Sequence, residues 1–548
     1  MALLSGNNGI AAAGIFVLVA AFLCRKIGQR PKDFPPGPPT LPIIGNLHQI
    51  PSEKRYLQFQ KWAEQYGPVY SLMLGSKVMI VLSSDVAIKD LVDKRGAIYS
   101  SRPEAYIAQD VLSGGLRPLF MKNDDSPAGA VWKTTRRLSH QVLNMNTART
   151  YIPYQDLENK ALLVDLLDNP GDFIQHLRRY TASLTTQMVF GHRTTTIADP
   201  KFQKAFHIFD RSAELIGSRI SSLLDLVPAL QSLPEFLLPI KKEGREINRQ
   251  EHKLFTGLFL DTKRGLKDGT AKPCVCLDLV KLQEQDSFSD DVAAYISGSL
   301  LQAGGETTAT VLIGFVQAAM IFPEIVKAGQ EELDRFCGDR MPELDDVPEL
   351  PYIRALAKEC LRWMPGFFLG VPHAVTQDDT YLGYRIPKNA TIILNIWGIH
   401  MDPKRHEDPR RFNPLRFIDD DQSSIDAANN PDASKRDHFS FGAGRRRCQG
   451  MHIADRSIFL ALARMLWGFD LKRPINPVTG LEIVPDKDDL IEGIMSLPKP
   501  FRADILPRSA ERAKAVREAW TEISRVLDNE SLQWKEIPKT LKWADKEV

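Results

Sequence analysis

The feature that most constrains this chain is a glycine-rich loop around one cysteine. Phe441, Gly444, Arg446, Cys448 and Gly450 form the pattern F-x-x-G-x-R-x-C-x-G. A thiolate can bind haem iron only if its charge is tolerated and water is kept away. Glycines let backbone amides approach the sulfur, the phenylalanine can cover one side of the cofactor, and the arginine can pair with a haem propionate. The pattern predicts Cys448 as a haem-iron axial ligand; the alternative is a cysteine that packs as a small hydrophobic residue.

Composition argues against several other classes of protein. The formal net charge of the 548 residues is +2, with no long run of like charge, so no nucleic-acid partner is expected. The six cysteines lack the spacing of a disulfide framework, which favours a reducing compartment. Cys274 and Cys276 form a C-x-C, but no second pair completes a metal site, and we interpret them as structural.

A strongly apolar segment covers residues 9–24 and is followed by the basic residues Arg25, Lys26, Arg30 and Lys32. Its length is at the short edge for a spanning helix, so a cleaved signal peptide is the alternative. No charge precedes the segment, and positively charged flanks tend to stay cytoplasmic. We therefore predict a single-pass membrane anchor at residues 9–24, with residues 1–8 in the lumen. Residues 25–39 are basic and proline-rich and are expected to act as a hinge.

Hydrophobic periodicity predicts a mainly α protein with a small β portion. Apolar residues recur at helical spacing over long segments such as Tyr154–Leu167 and Val292–Phe322. Shorter strand-like runs lie at residues 69–74 with 78–82, at residues 381–386 and at residues 390–395. Beyond residue 506, apolar residues at three- and four-residue steps predict an amphipathic helix whose role the sequence does not indicate.

Two helical motifs are weak signals when taken alone. Residues 303–308 read A-G-G-E-T-T in the middle of an apolar helix, where each glycine costs roughly 1 kcal/mol relative to alanine. Without further context, an ordinary glycine-bearing helix or a cap is the simpler explanation. Glu359 and Arg362 are spaced so that they can pair on one helical face, but a solvated surface pair is the commoner case.

In the cysteine loop and in these two motifs, the chain resembles the cytochrome P-450 monooxygenases. The resemblance can be followed from Pro35 to about Phe501. It implies the haem-thiolate cytochrome P-450 fold for a catalytic domain at residues 40–505, followed by an amphipathic tail at 506–548. It also implies bound haem b (iron protoporphyrin IX), with Phe441, Gly444, Arg446 and Gly450 around the ligand Cys448. The anchor then implies the endoplasmic reticulum membrane, with the catalytic domain in the cytosol.

The resemblance assigns roles to further residues. Glu306 and Thr307 are expected to be catalytic by organising water for proton delivery, in a helix that widens beside the haem. Trp132, Arg136 and His373 are expected to bind the propionates. Glu359, Arg362 and Arg416 are expected to form a buried structural triad that fixes the fold. The expected substrate pocket is apolar and partly aromatic, and is formed by Tyr106, Ile107, Phe120, Ala303, Phe367, Phe368, Leu369, Ile494 and Met495.

The implied activity is insertion of one oxygen atom from dioxygen into a lipophilic small molecule, as a tailoring step (hydroxylation, epoxidation or desaturation) of fungal secondary metabolism. The chain carries no flavin or nicotinamide module, so a separate NADPH-cytochrome reductase is expected to supply electrons. The alternatives are a thiolate-haem isomerase or dehydratase, a xenobiotic-detoxifying monooxygenase, and a haem-based gas sensor or a carrier without turnover. Residues Glu306 and Thr307 argue against the isomerase.

Overall fold

The computed structural model describes residues 26–535, so the anchor predicted at residues 9–24 lies outside the described residues. The described chain is mainly helical, as the sequence predicts. Its α-helices are α1 Arg55–Tyr66, α2 Asp85–Ile88, α3 Pro127–Leu143, α4 Met145–Arg149, α5 Ile152–Asp168, α6 Phe173–Phe190, α7 Pro200–Gly217, α8 Arg219–Leu226, α9 Pro239–Lys267, α10 Val275–Asp286, α11 Asp290–Ile321, α12 Glu324–Phe336, α13 Pro351–Trp363, α14 Ile396–His400, α15 Ser424–Asn429, α16 Met451–Gly468 and α17 Ala510–Ile523.

Within residues 26–535, the β portion consists of one small sheet and three two-stranded pairs. The strands are β1 Val69–Leu74, β2 Lys77–Leu82, β3 His373–Ala374, β4 Asp379–Tyr381, β5 Tyr384–Ile386, β6 Thr391–Leu394, β7 Phe469–Lys472, β8 Leu490–Glu492, β9 Ser496–Pro498 and β10 Asp504–Pro507. The sheet has the order β1-β2-β6-β3, and the pairs are β10-β7, β4-β5 and β8-β9. Only β2 and β6 are parallel; the other pairings are antiparallel.

One strand prediction needs correction. Residues 381–386 are not a single strand but span the turn of the β4-β5 hairpin, in which Tyr381 pairs with Tyr384. Leu382 and Gly383 both have positive φ, at 51° and 80°. Two successive residues with left-handed backbone conformation reverse the direction of the chain. The alternation of apolar and polar side chains does not reveal such a turn.

The long helix α11 runs through the centre of the molecule. Ser289 caps its N-terminus by accepting a hydrogen bond from the amide of Val292, and Asp290 and Asp291 lie favourably in its first turn. Because most of its length is buried, the helix is apolar on nearly all sides, as expected for a core helix. Together with α5, α6, α12, α13 and α16 it contributes to the main hydrophobic core.

The proline-rich segment is fixed to strand β1. The Arg30 guanidinium donates to the carbonyl oxygens of Gly37 and Pro38, both at 2.8 Å, and to that of Ser71 at 2.9 Å. The Ser71 hydroxyl in turn donates to the Pro35 carbonyl at 2.6 Å. This part of the predicted hinge is therefore held against the sheet.

The helices of the described chain can be tested for length and apolar composition sufficient to cross a membrane. Among residues 26–535, no single helix is long and apolar enough to cross a membrane. The helices α11 and α12, bent by 106° relative to each other, satisfy the length and composition criteria only as a pair.

The tail beyond residue 506 folds back onto the helical core. Arg508 forms a two-pronged ion pair with Asp334 of α12, with distances of 2.6 and 2.8 Å. Further along, Trp534 is 4% exposed, and its indole N–H donates to Oε1 of Gln187 in α6 at 2.6 Å. Its ring lies 5.5 Å from that of Tyr154 in α5. The tail is thus joined to three helices of the domain.

We expect Trp534→Ala to lower the free energy of unfolding by about 3–5 kcal/mol, because it removes a large buried ring and leaves Gln187 without its donor. The thermal unfolding midpoint of the purified protein measures the effect. Phe236→Ala is the matched control, since that ring is 80% exposed. Equal midpoints for the two variants would contradict a stabilising role of the tail.

Candidate haem-thiolate site

The cysteine loop lies between a 3-10 turn at Gly444–Arg446 and the start of α16. The Cys448 amide donates to the Phe441 carbonyl at 2.9 Å, which closes the loop. Gly444 has a φ of +59°, and a Cβ atom there would lie 2.2 Å from the carbonyl oxygen of Val92. Only glycine fits such a position, which explains the requirement for Gly444 in physical terms.

Opposing effects act on the charge of the Cys448 sulfur. Burial among protein atoms raises the pKa of the Cys448 thiol, while the amide of Gly450 and the guanidinium of Arg136 act to lower that pKa. The residue nevertheless has exposed surface in the structure. A thiol that coordinates a metal is deprotonated outright, so iron would supply the missing stabilisation of the thiolate. By contrast, Cys274 and Cys276 are fully buried in a hydrophobic cluster.

Three arginines gather beside this loop without an acidic partner. Arg102, Arg136 and Arg446 form no ion pair with any carboxylate of residues 26–535. Burial and mutual repulsion lower the pKa of Arg446 to about 8 and that of Arg102 to about 9, and burial lowers that of Arg136 to about 10. Buried cations need an anion nearby. The two propionates of a haem meet this need, so the arginine cluster fits the cofactor that Cys448 implies.

Trp132 and His373 complete this cluster. The guanidinium of Arg446 lies 3.9 Å from the ring centroid of Trp132, a close cation–π contact. His373 is buried, and its Nδ1 donates to the Tyr99 carbonyl at 2.8 Å, which leaves Nε2 for another partner. Burial and the charges of Arg102 and Arg446 hold the pKa of His373 well below its usual range. The structure therefore brings together Trp132, Arg136, His373 and Arg446.

Sequence reasoning missed Arg102. Its guanidinium donates to the carbonyl oxygens of Leu119, Val371 and Pro372, which places it within the cluster. The residues Ser101 to Pro103 give no pattern that distinguishes a ligand-binding arginine from a surface one. Arg102 is recognisable only in the fold, where it is buried and forms no ion pair with any carboxylate in the described part of the chain.

Helix α11 remains continuous through residues 303–308, so the glycines do not break it and no widened turn is present. A Cβ atom at Gly304 would lie 2.6 Å from Oγ1 of Thr185, so glycine here permits close packing of α6 against α11. Ala303 is exposed and Thr307 half-buried, although they lie mid-way along a mostly buried helix. The Thr307 hydroxyl donates to the Ala303 carbonyl at 2.7 Å. These two residues therefore remain accessible on a helix that is otherwise mostly covered.

Glu306, next to Thr307 in α11, is covered by other parts of the protein. It is 5% exposed, and its Oε1 makes no hydrogen bond within residues 26–535, although Nε of Arg178 in α6 lies 3.6 Å away. Burial raises the pKa of Glu306 to about 7, Asp210 of α7 adds to the shift, and Arg178 opposes it. Arg178 also faces Asp210, which is exposed. No sequence motif marks Arg178 or Asp210 as functional residues.

The structure brings Glu359, Arg362 and Arg416 together. Both oxygens of Glu359 accept hydrogen bonds from Arg362, at 2.6 and 2.7 Å, and both side chains are fully buried. Arg416 is more distant, with its Nε 3.5 Å from Glu359 Oε1. The amide of Asn413 donates to the same oxygen at 2.8 Å, and Arg362 also donates to the carbonyls of His400 and Pro409. The carboxylate thus joins α13 to the loop that carries Arg416.

The residues expected in the substrate pocket divide into two groups. Ala303 is exposed, and the half-buried members are Tyr106, Phe120, Phe367, Leu369, Ile494 and Met495. Two others are packed within protein. The Phe368 ring lies 4.6 Å from the rings of both Tyr56 and Trp397, and Ile107 is fully buried in a separate cluster with α7, α8 and α9. We therefore assign Phe368 and Ile107 to hydrophobic packing, because their surfaces are already covered.

Comparison with known proteins agrees with this geometry. The family model for cytochrome P-450 matches residues 35–503. Cytochrome P-450 monooxygenase fogE of Aspergillus ruber is 58% identical, with 97% of this chain and 98% of the relative covered. Cytochrome P-450 monooxygenase virE of Hypocrea virens is 58% identical over 95% of this chain and 94% of the relative. Cytochrome P-450 monooxygenase fsoB of Humicola fuscoatra is 46% identical over 95% of this chain and 96% of the relative.

Proposed function

This chain belongs to the cytochrome P-450 family and is a haem-dependent monooxygenase, and we propose that it inserts one oxygen atom into a lipophilic small molecule as a tailoring step of fungal secondary metabolism. The observation that carries the proposal is the position of Cys448 beside Arg102, Arg136 and Arg446, which are shielded from water and form no ion pair with a carboxylate of residues 26–535. Bound haem with a thiolate ligand activates dioxygen, so that one atom enters the substrate and the other leaves as water.

A lipophilic substrate is supported by the side chains that remain accessible. Of the residues expected to line the pocket, Tyr106, Phe120, Phe367, Ile494 and Met495 are half-buried and mainly apolar. Such surfaces bind apolar ligands by removing them from water, while a few polar groups set orientation. Tyr106 carries the one hydroxyl of this group and is the candidate partner for a polar group on the substrate.

Proton delivery is assigned to Glu306 and Thr307. Thr307 is half-buried, and its oxygen can accept a hydrogen bond, since its own proton is donated to the Ala303 carbonyl. Glu306 has a pKa of about 7, so that it both releases and takes up a proton near neutral pH. Arg178 lies beside Glu306, and Asp210, which is exposed at the surface, lies beside Arg178. We propose this series as the route by which protons reach the site.

Glu306→Gln is expected to lower product formation by about 100-fold, because the amide has the same shape but cannot release a proton. The measurement is product formed per NADPH consumed, with reductase, as a function of pH. In the wild type the ratio should change near pH 7, whereas in the variant it should not. Asp291→Asn is the control, since this carboxylate of α11 is 53% exposed. Unchanged coupling in Glu306→Gln would contradict the assignment.

Membership of the family implies that haem is the cofactor and that a separate reductase supplies electrons. We propose that the haem is haem b and that the reductase draws on NADPH. The propionates would be held by Arg102, Arg136, Arg446, Trp132 and His373. We further propose that residues 9–24 anchor the chain in the endoplasmic reticulum membrane with the catalytic domain in the cytosol, which the apolar segment and the basic residues after it support.

The test is turnover by the full chain in membranes together with a reductase. Lipophilic candidate substrates are first screened by their effect on the haem spectrum. A monooxygenase should consume NADPH and dioxygen and form a product that carries one added oxygen atom or, for desaturation, has lost two hydrogens. An isomerase or dehydratase would form product without NADPH, and a sensor or carrier would form none, so either result would refute the proposal.

A further inference from the structure

Behind the cysteine loop lies a polar cluster that the site described above does not use. It comprises Lys358 of α13, Ser424 of α15, Asp437 and His438 of the loop before Phe441, and Asp455 of α16, and we call it the Asp455 cluster. The first four side chains are each less than a tenth exposed, and Asp455 is half-buried. Polar groups are costly to bury unless each has a partner, so such a cluster calls for an explanation.

Asp455 is the least compensated member of the cluster. The Ser424 hydroxyl donates to its Oδ1 at 2.9 Å. Asp437, by contrast, lies 3.6 Å from the ammonium group of Lys358, which also pairs with Asp420 at 2.7 Å. Among residues 26–535, no basic group forms an ion pair with Asp455. A carboxylate held by a neutral hydroxyl changes its charge more readily than one held by a cation.

The cluster is joined to the haem-ligand loop in two ways. The ring of His438 lies 5.3 Å from that of Phe441, edge to face, and Nε2 of His438 lies 3.5 Å from the Ser424 hydroxyl. Asp455 follows Cys448 by seven residues on the helix that starts just after the loop, and its negative charge raises the pKa of the Cys448 thiol. Since such coupling is reciprocal, negative charge at the sulfur must also favour a proton on Asp455.

We propose that Asp455, positioned by Ser424, acts through Cys448 to couple reduction of the haem to the uptake of a proton. One electron from the reductase enters the ferric haem and makes it ferrous. One proton from solvent then binds the Asp455 carboxylate, so that the total charge of the centre is unchanged. Asp455 touches neither substrate nor haem in this proposal and is not a catalytic residue. The proposal rests on Cys448 as the haem ligand.

The surrounding charges favour Asp455 as the group that titrates. Removal from water and the charge of Asp437 raise the pKa of Asp455 to about 7, against the effects of Ser424, Lys358 and Arg456. Burial lowers the pKa of His438 and that of His452, so both imidazoles are mainly neutral near pH 7. Arg436 and Asp420 also face His438, and their opposite charges shift its pKa in opposite directions.

The test is the midpoint reduction potential of the full-length, haem-loaded protein, measured from about pH 6 to about pH 8. In the wild type the potential should fall as pH rises through about 7, because ionised Asp455 disfavours the added electron. Asp455→Asn, which keeps an acceptor for Ser424, should have a higher potential above pH 7 and no step. Ser424→Ala should move the step to higher pH, since the carboxylate loses a donor that stabilises it. Asp421→Asn, which changes an exposed carboxylate just before α15, is the charge-matched control and should match the wild type.

An Asp455→Asn variant with the potential and pH profile of the wild type would overturn the proposal, as would an unmoved step in Ser424→Ala. The carbon-monoxide spectrum of each ferrous variant separates this failure from a wrong ligand. A thiolate-type band in all variants, together with unchanged potentials, refutes the role of Asp455 alone. A histidine-type band in the wild type refutes both the ligand assignment and the inference that rests on it.

Discussion

Glu359→Ala is expected to abolish haem incorporation. The carboxylate is fully buried, receives two hydrogen bonds from Arg362, and accepts a third from the Asn413 amide. Its removal leaves the Arg362 guanidinium charged in the interior, hydrogen-bonded to the carbonyl oxygens of His400 and Pro409, and removes the carboxylate that lies 3.5 Å from Arg416. Loss of one partner from a buried pair costs about 3–5 kcal/mol, which is a large part of the stability of a typical domain.

The measurement is haem bound per chain after expression with excess haem precursor, alongside the thermal unfolding midpoint. Glu331→Ala is the matched control, because Glu331 pairs with Lys327 on an exposed helix face and is 65% exposed. An exposed pair of this kind contributes about 0.5 kcal/mol or less, so the control should bind haem normally. A Glu359→Ala protein with full haem content and an unchanged spectrum would show that the triad does not fix the fold.

Cys448→Ser is expected to eliminate turnover. Serine keeps the loop geometry, since the closing hydrogen bond is donated by the backbone amide of residue 448. The hydroxyl is a far weaker ligand than a thiolate and gives the iron little of the electron density that oxygen activation needs. We expect a loss greater than the roughly 10–100-fold typical of removing an outer partner of a metal ligand.

Product formation with saturating reductase and NADPH measures the loss, with haem content determined on the same sample. Cys337→Ala serves as control, because this cysteine is 7% exposed and lies in the main hydrophobic core. Product formation at the wild-type rate by Cys448→Ser would mean that the oxygen chemistry does not depend on this sulfur.

The sequence predicted those parts of the molecule that local pattern determines. Helical periodicity marked α5 and α11, and strand-like runs marked β1 and β2. The cysteine loop was recognisable because its residues lie within ten positions of one another and each has a separate physical task. Local pattern failed at residues 381–386, where left-handed backbone at Leu382 and Gly383 turns the chain into a hairpin.

Features that depend on distant residues could not be predicted. Arg102 lies more than 340 positions before Arg446, and only the fold shows that the two lie near each other with no ion pair to a carboxylate of residues 26–535. Phe368 looked like a pocket residue because it is an aromatic beside the E-x-x-R helix, but its ring packs against Tyr56 and Trp397. The docking of Trp534 onto α6 is likewise a tertiary contact with no counterpart in local sequence.

The central claim is that Cys448 binds haem iron through its sulfur. The most direct test is the carbon-monoxide difference spectrum of the reduced full-length protein in membranes, because the position of its main band reports the atom opposite the gas. The account predicts the strongly red-shifted band of a thiolate ligand. A band at the position typical of a histidine ligand, or no haem spectrum at all, would contradict it, and the roles proposed for Glu306, Thr307 and Asp455 would fall with it.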